Sequence, residues 1–487
     1  MPNQCLVIVD ADRIHDYVFS PHHLKLIRGG SNIERQLNEV QMLRLLPGDG
    51  NVDRTDPERP AINDTVFPAC KWEAIFAGGG TALVEFADRP AAEEYCRNVE
   101  RAFLEKTATA TVSWAIQDCG ASFRDTLDKA QAALALRKEG KTEPLFNGSS
   151  PYWKACEDCG RHPVTVQYTD PDSRTRLCCE ACQLRRKAGE RGDYLDLIAA
   201  LAGTKLHHLK DLSQLGALSR PENYLAMVYI DLDRLGRYLH THGKSKEEYR
   251  TRSGQIRDAV NKGILEACAA ICPRTDERAA PPFEILLIGG DDAILFVAAD
   301  RVFDFLDEFA RSFHQSIATL PDQSDLSFSA GIVWAHHHFP IAQFRARAED
   351  LVRSAKTKDG DAVDWSVVSE AGFEKLTTAR INARRGDVSS TQKPYLFEDF
   401  RKLAGAVRDW KQAGVPSTKV KALYPIAHQK QHQSTLAYWC LYNRLTPKHQ
   451  GLFDAVFPGG PWQGQPAKST KAADLVELWD FISTERP

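Results

Sequence analysis

One eight-residue pattern occurs twice in this chain of 487 residues. Asp10-Ala11-Asp12-Arg13-Ile14-His15-Asp16-Tyr17 and Asp231-Leu232-Asp233-Arg234-Leu235-Gly236-Arg237-Tyr238 both read Asp-x-Asp-Arg-apolar-x-x-Tyr. Each follows a short apolar run. A second matched pair lies downstream, where Ala74 to Phe86 lines up with Ile285 to Val297. Gly78 and Gly79 match Gly289 and Gly290, while Gly80 and Thr81 stand where Asp291 and Asp292 stand. The order that follows is also shared. Helical periodicity covers 90–106 and 301–319, strand-like runs cover 110–116 and 326–334, and a further helix covers 122–139 and 341–356. A repeated order of this length marks an internal duplication. It predicts two α+β domains of one fold, each with a mostly antiparallel sheet.

The second copy carries the chemistry. Leu286-Leu287-Ile288 and Ala293 to Val297 are buried-strand runs around a tight Gly289-Gly290-Asp291-Asp292 turn, the mark of a hairpin. If the strand ending at Asp231 is its neighbour, then Asp231, Asp291 and Asp292 converge. Unpartnered buried carboxylates are costly, so such a group meets cations. Hard oxygen donors suit magnesium, and polymerases use a pair of such ions for in-line phosphoryl displacement. A hairpin whose acids are merely solvated is the competing reading, because Gly-Asp turns are common. The Asp-x-Asp strand end argues against it. The first copy lacks the turn acids and is not expected to hold catalytic metals. It keeps the glycines, whose backbone can approach a phosphate closely.

Between the copies stand Cys156-x-x-Cys159 and, nineteen residues on, Cys179-x-x-Cys182. Four thiolates at this spacing close a tetrahedral site for structural zinc, with no position left open for catalysis. Cys178 could replace Cys179 only by losing the spacing. Arg185, Arg186, Lys187 and Arg191 follow on a helix. They read either as a face toward nucleic acid or, more commonly, as a solvated charge run.

Hydrophobic residues at 43% and charged residues at 26% are ordinary for a globular protein. No apolar run reaches the roughly 20 residues of a membrane helix. Met1 to Gln4 leads straight into a strand, so neither an export signal nor a membrane association is expected and the expected location is cytoplasmic. A net charge of −3 is low for a protein that holds nucleic acid alone. Pro47 to Pro60 reads as a loop. His336, His337 and His338 follow a strand directly, so their side chains are expected to diverge at a turn or pocket rim. The chain beyond 375 looks helical, and its first part is basic (Arg380, Arg384, Arg385, Lys393, Arg401, Lys402, Arg408, Lys411, Lys419, Lys421), which suits phosphate contact or docking. The expected boundaries are 1–145, 146–220, 221–372 and 373–487.

Together these residues resemble the large subunit of type III CRISPR effector complexes, the CRISPR polymerase. The resemblance covers nearly the whole chain. It rests on Asp16-Tyr17-Val18-Phe19-Ser20 with Lys25 to Gly30, the four-cysteine segment, the Gly-Gly-Asp-Asp hairpin, and Ser329 to His337 with Phe339-Pro340. It implies two ferredoxin-like palm domains, a zinc-binding insert and a helical C-terminal domain. The implied activity is synthesis of cyclic oligoadenylates from ATP, triggered when the complex binds target RNA. The implied partners are the other subunits and a guide RNA.

The resemblance also assigns roles. Asp291 and Asp292 would bind two magnesium or manganese ions, with Asp231 as the strand ligand and Asp233 beside it. Gly289 and Gly290 would let the backbone approach a phosphate, Gly78, Gly79 and Gly80 would help hold the acceptor nucleotide, and Ser327 or Ser329 would touch the adenine. The triphosphate lysine would be Lys356 or Lys358, because the usual Lys-x-x-Gly-Lys-Asn is replaced by Lys356 to Asp361. The His-Asp nuclease domain of many relatives is not expected, and His15-Asp16 receives no nuclease role. Two other readings compete, a non-catalytic scaffold subunit and a stand-alone cyclic-dinucleotide synthase.

Overall fold

The computed structural model describes residues 4–48, 50–56, 60–63, 70–141, 153–169, 175–189, 193–274, 278–368, 383–385, 388–464 and 468–484. The first palm runs β1 (Cys5–Ala11), α1 (Ile14–Phe19), α2 (Leu24–Arg35), β2 (Trp72–Gly78), β3 (Thr81–Phe86), α3 (Arg89–Thr107), β4 (Val112–Asp118) and α4 (Phe123–Glu139). Its sheet order is β2-β3-β1-β4, antiparallel throughout. The β1 strand is apolar from Cys5 to Val9 because both faces are covered there, and Asp10 follows at its half-buried end. Val7 and Val9 join a core with Tyr95, Val99 and Phe103 of α3. Leu6 and Ile8 point the other way, to Leu127, Ala130 and Leu134 of α4.

The linking segment holds the hairpin β5 (Val166–Thr169) and β6 (Thr175–Cys178), then α5 (Glu180–Ala188). The second palm repeats the plan with β7 (Tyr224–Asp233), α6 (Leu235–His242), α7 (Lys246–Ala270), β8 (Phe283–Ile288), β9 (Asp292–Ala298), α8 (Val302–Ile317), β10 (Ser327–His336) and α9 (Ile341–Ala355). β11 (Ala362–Val367) and β12 (Tyr395–Leu396) extend the sheet to the order β8-β9-β7-β10-β11-β12. Within it only β10 and β11 pair in parallel.

The duplication extends to irregularities. The outer hairpin strand slips register between Ala74 and Phe76 in the first palm and between Ile285 and Leu287 in the second, at aligned positions. The arginines of the repeated motif, Arg13 (φ 50°) and Arg234 (φ 56°), both take the left-handed conformation. That region is uncommon for a residue with a side chain. In both copies it turns the chain from strand into the helix that follows.

The palms share a core. Val18, Leu24 and Ile27 of the first palm belong to one buried apolar cluster with Tyr229, Leu286, Ile294 and Phe296 of the second. The opposite face of β7, with Val228 and Ile230, packs on α7 and α8 through Val260, Ile264, Phe305 and Phe309. Ion pairs cross the same boundary. Buried Arg28 donates to Glu284 at 2.7 Å, Lys246 donates to Glu73 at 2.8 Å, and Arg250 also pairs with Glu73.

The C-terminal part includes α10 (Phe397–Gln412), α11 (Gln431–Tyr442), α12 (Pro447–Val456) and α13 (Ala472–Trp479). Trp410 stacks on Phe453 at 4.1 Å. Much of the basic run is spent internally. Arg401 pairs with Asp307, Arg408 with Asp304, Lys421 with Asp480 and Lys393 with Glu477. Arg380 lies outside the described residues. The same holds for the run after the cysteines. Arg186 is buried on Asp158 at 2.9 Å, and Arg185 lies over the Tyr17 ring, so these two arginines are structural. Lys187 is exposed, and Arg191 is outside the described residues. Within the expected loop from Pro47 to Pro60, Val52–Asp53 pairs with Ala61–Ile62.

Candidate metal and nucleotide site

The β8–β9 hairpin closes through the Gly289 N–H, which donates to the Asp292 carbonyl at 2.7 Å. A Cβ on Gly289 would lie 2.2 Å from Asp292 Oδ1, so a side chain there collides with the acid. The Leu232 N–H donates to the Asp291 carbonyl at 3.0 Å and fastens the turn to the central strand. Register then places Asp231 opposite Asp292 on one side and Ser329 on the other, and Asp233 opposite Ser327. All sit on one face of the sheet, because they are cross-strand partners or two residues apart.

Every acid of the set except Asp291 has a partner among the described residues. Lys356 Nζ donates to Asp231 Oδ1 at 2.6 Å. Asp292 Oδ2 meets His15 Nε2 of the first palm at 3.0 Å and the Tyr229 hydroxyl at 3.2 Å. Asp233 is buried and accepts from Ser327 at 3.0 Å and from Ser329 at 3.0 and 3.1 Å. Asp291 is open to the solvent, yet the protein around it and the charges of Asp292 and Asp231 push its carboxyl up to about 6. Burial raises Asp231 as well, with Lys356 opposing and Asp292 adding to the rise. Burial of His15 works most strongly against its charge, but the hydrogen bond to Asp292 and the Asp292 charge together outweigh it and raise the imidazole. The face thus holds more negative charge than its neighbours offset, and its donors are hard oxygens. That is the donor chemistry of a magnesium or manganese site. The carboxylates are spread along the face: among the described residues no three acids bring ligand atoms within 4.8 Å of one another.

The first palm repeats part of this arrangement. Asp10 is paired with Lys138 at the end of α4, as Asp231 is with Lys356 at the end of α9. Asp10 also accepts from Thr81, the residue that stands in place of Asp292, at 3.0 Å. Asp12 accepts from Thr111 at 2.9 Å, as Asp233 does from Ser327, and is bonded by Lys141 at 2.7 Å. The second acid of the motif therefore has the same local anchoring role in a palm without turn acids. The buried hydroxyls of Ser327 and Ser329 are directed to Asp233.

Of the two candidate lysines, Lys356 is the one brought to the acids. Lys358 lines a groove of about 1560 Å³ between the second palm and the C-terminal helices, whose lining includes none of Asp231, Asp291 and Asp292. The glycine turns of the two palms meet. A Cβ on Gly79 (φ +56°) would lie 2.7 Å from the Gly290 nitrogen.

Cys156, Cys159, Cys179 and Cys182 are buried with their sulfurs within 4.8 Å of one another. Cys159 and Cys179 are 3.9 Å apart, against about 3.8 Å between thiolates in a tetrahedron with Zn–S near 2.3 Å. The cluster fits a structural zinc site. Cys178 is buried outside it. The three histidines, expected to diverge, do the opposite: a tight turn after β10 brings ligand atoms of His336, His337 and His338 within 4.8 Å. The His338 N–H donates to His336 Nδ1 at 3.3 Å, and the chain folds back on itself rather than continuing as a strand.

Two site residues escaped the sequence reading. Tyr229 stands two residues before Asp231, so strand alternation could have found it. His15 arrives from the other palm, and only docking of the two copies reveals it.

Residues 224–363 match the family model for the second palm domain of Cas10/Cmr2. No curated protein matches the chain. Among solved structures, the crystal structure of Csm1 in T. onnurineus is similar over 100% of this chain and 70% of that one, at 14% identity and a TM-score of 0.59. The apo Csm1-Csm4 cassette is similar over 99% and 70%, at 13% identity and a TM-score of 0.61. The cassette in complex with cA4 gives the same coverage and identity with a TM-score of 0.59. At these identities the likeness is one of fold. No helix among the described residues is long and apolar enough to cross a membrane.

Proposed function

We propose, from the premise that residues 224–363 are a Cas10/Cmr2 second palm domain, that the chain synthesises cyclic oligoadenylates from ATP as the large subunit of a type III CRISPR effector complex. Target RNA bound by that complex would switch it on. The observation that carries the reading is the cross-strand pair Asp231 and Asp292 with Asp291 in the adjoining turn, facing a second palm. Fold relatives point the same way, since Csm1-Csm4 cassettes have been solved with one ATP, with cA3 and with cA4.

In the reaction a 3′-hydroxyl oxygen attacks an α-phosphorus. The new P–O bond forms as the bond to the β-phosphate oxygen breaks, the hydroxyl proton passes to solvent water, and pyrophosphate leaves with its charge. Asp231, Asp291 and Asp292 would hold two magnesium or manganese ions, which when bound lower the hydroxyl pKa and offset charge on the leaving side. Lys356, once released from Asp231, would meet the triphosphate. The Gly289–Gly290 backbone lets phosphate oxygens come close, and Gly78 to Gly80 line the acceptor side. No side-chain general base is required. The four cysteines would hold zinc and fix the linking segment. Assembled with its partner subunits, guide and target RNA, the chain should convert labelled ATP to cyclic oligomers resolved by mass. Assembly without any product would favour the scaffold reading.

A further inference from the structure

The two palms meet about a local twofold axis. Gly79 and Gly290 occupy the same place in the repeat, and each is the other's nearest neighbour across the boundary. A contact between equivalent residues is what a twofold relation produces. Any side chain that crosses the boundary should therefore have a counterpart crossing in the other direction. His15 crosses to Asp292. Its counterpart is Gly236, with open space where a Cβ would stand, and the counterpart of Asp292 is Thr81. The crossing contact survives only in the direction that reaches the acidic turn.

We propose that His15 is a positioning residue of the second palm's metal site, supplied by the first palm to orient the Asp292 carboxylate. This rests on the function proposed above. His15 Nε2 and the Tyr229 hydroxyl both converge on Oδ2. The other oxygen, Oδ1, lies on the Gly289 side, toward the turn that carries Asp291. Two partners on one oxygen fix the plane of the carboxylate and leave the other oxygen for a cation. The imidazole is itself held. Its ring meets Tyr229 edge-on at 5.9 Å and Phe19 at 6.4 Å, and left-handed Arg13 sets the start of α1 that carries it. Groups that hydrogen-bond a metal ligand typically account for 10- to 100-fold in metal affinity. The first palm is then more than a degenerate copy, because it completes the site of the second.

The test is manganese binding to the purified, zinc-loaded full chain, followed by electron paramagnetic resonance without nucleotide. His15→Ala should weaken binding about 10-fold or more. His15→Gln, which keeps an N–H donor of similar reach, should stay within about threefold of the wild type. Gly236→His, the mirror position, should leave affinity unchanged. Unchanged binding in His15→Ala overturns the inference, and so does tighter binding, which would make His15 a competitor of the metal. If the wild type binds no manganese at the acids, measured against Asp291→Ala with Asp292→Ala, the function proposed above falls and this inference with it.

Discussion

Glu34 of α2 is a carboxylate that the chemistry does not use. It is almost wholly enclosed, its Oε1 has no partner, and Asn38 donates to Oε2 at 3.2 Å. Burial pushes its carboxyl up to about 7, with Asn38 and Arg185 opposing. The folded protein therefore keeps the proton that the unfolded chain releases. Stability from this group is full below pH 4.5 and is lost as pH rises to about 7. The gap amounts to at most about 3 kcal/mol. Glu34→Gln should melt higher than the wild type at pH 8 and close to it at pH 4.5. A wild type that gains stability across this window relative to the variant would contradict the account. At this scale the sequence was partly legible. Asp231, Asp291 and Asp292 could be read because an Asp-x-Asp strand end and a Gly-Gly turn are local signals. Glu34 could not, since its burial depends on how α2 packs.

Among elements, the two hairpins and the cysteine knuckles carry the clearest consequences. Gly79 has a positive φ and no room for a Cβ against the Gly290 backbone, which cannot step aside as a side chain could. Gly79→Ala should cost about 1–3 kcal/mol and lower the melting temperature, whereas Gly236→Ala, with open space, should not. Equal melting of the two variants would show that the hairpins do not abut. In the linking segment, Cys156→Ser should lose bound zinc and unfold the segment, because metal binding and folding are coupled there. Cys178→Ser should retain one zinc per chain by elemental analysis. The reverse result would move the fourth ligand to Cys178. The strand and helix pattern was readable because it repeats, so each copy checked the other. The histidine triplet was misread because alternation holds only while a strand continues, and this one turns back at His337. The internal pairing of part of the basic runs was not legible, because charge pairing across elements, such as Arg408 with Asp304, leaves no trace in local sequence.

For the whole molecule the point is asymmetry within a duplicated frame. A shared core and the Arg28–Glu284 pair hold the palms together, so the glycine turns face one another and one acidic turn receives a residue from the opposite palm. The sequence showed two copies and which had lost its acids, but not that they dock turn to turn, because docking depends on surfaces that no repeat comparison reveals. The central claim is that phosphoryl transfer occurs at the second palm's turn. The most direct measurement compares the wild type with Asp291→Ala, Asp292→Ala in the assembled complex, with target RNA, magnesium and labelled ATP. Loss of one charge-stabilising contact alone costs about 10²–10³ in rate, and loss of the metal ligands should cost more. The account predicts oligoadenylate from the wild type and at least a thousandfold less from the variant, at equal assembly and folding. Product formation by the variant at a rate near that of the wild type would contradict it.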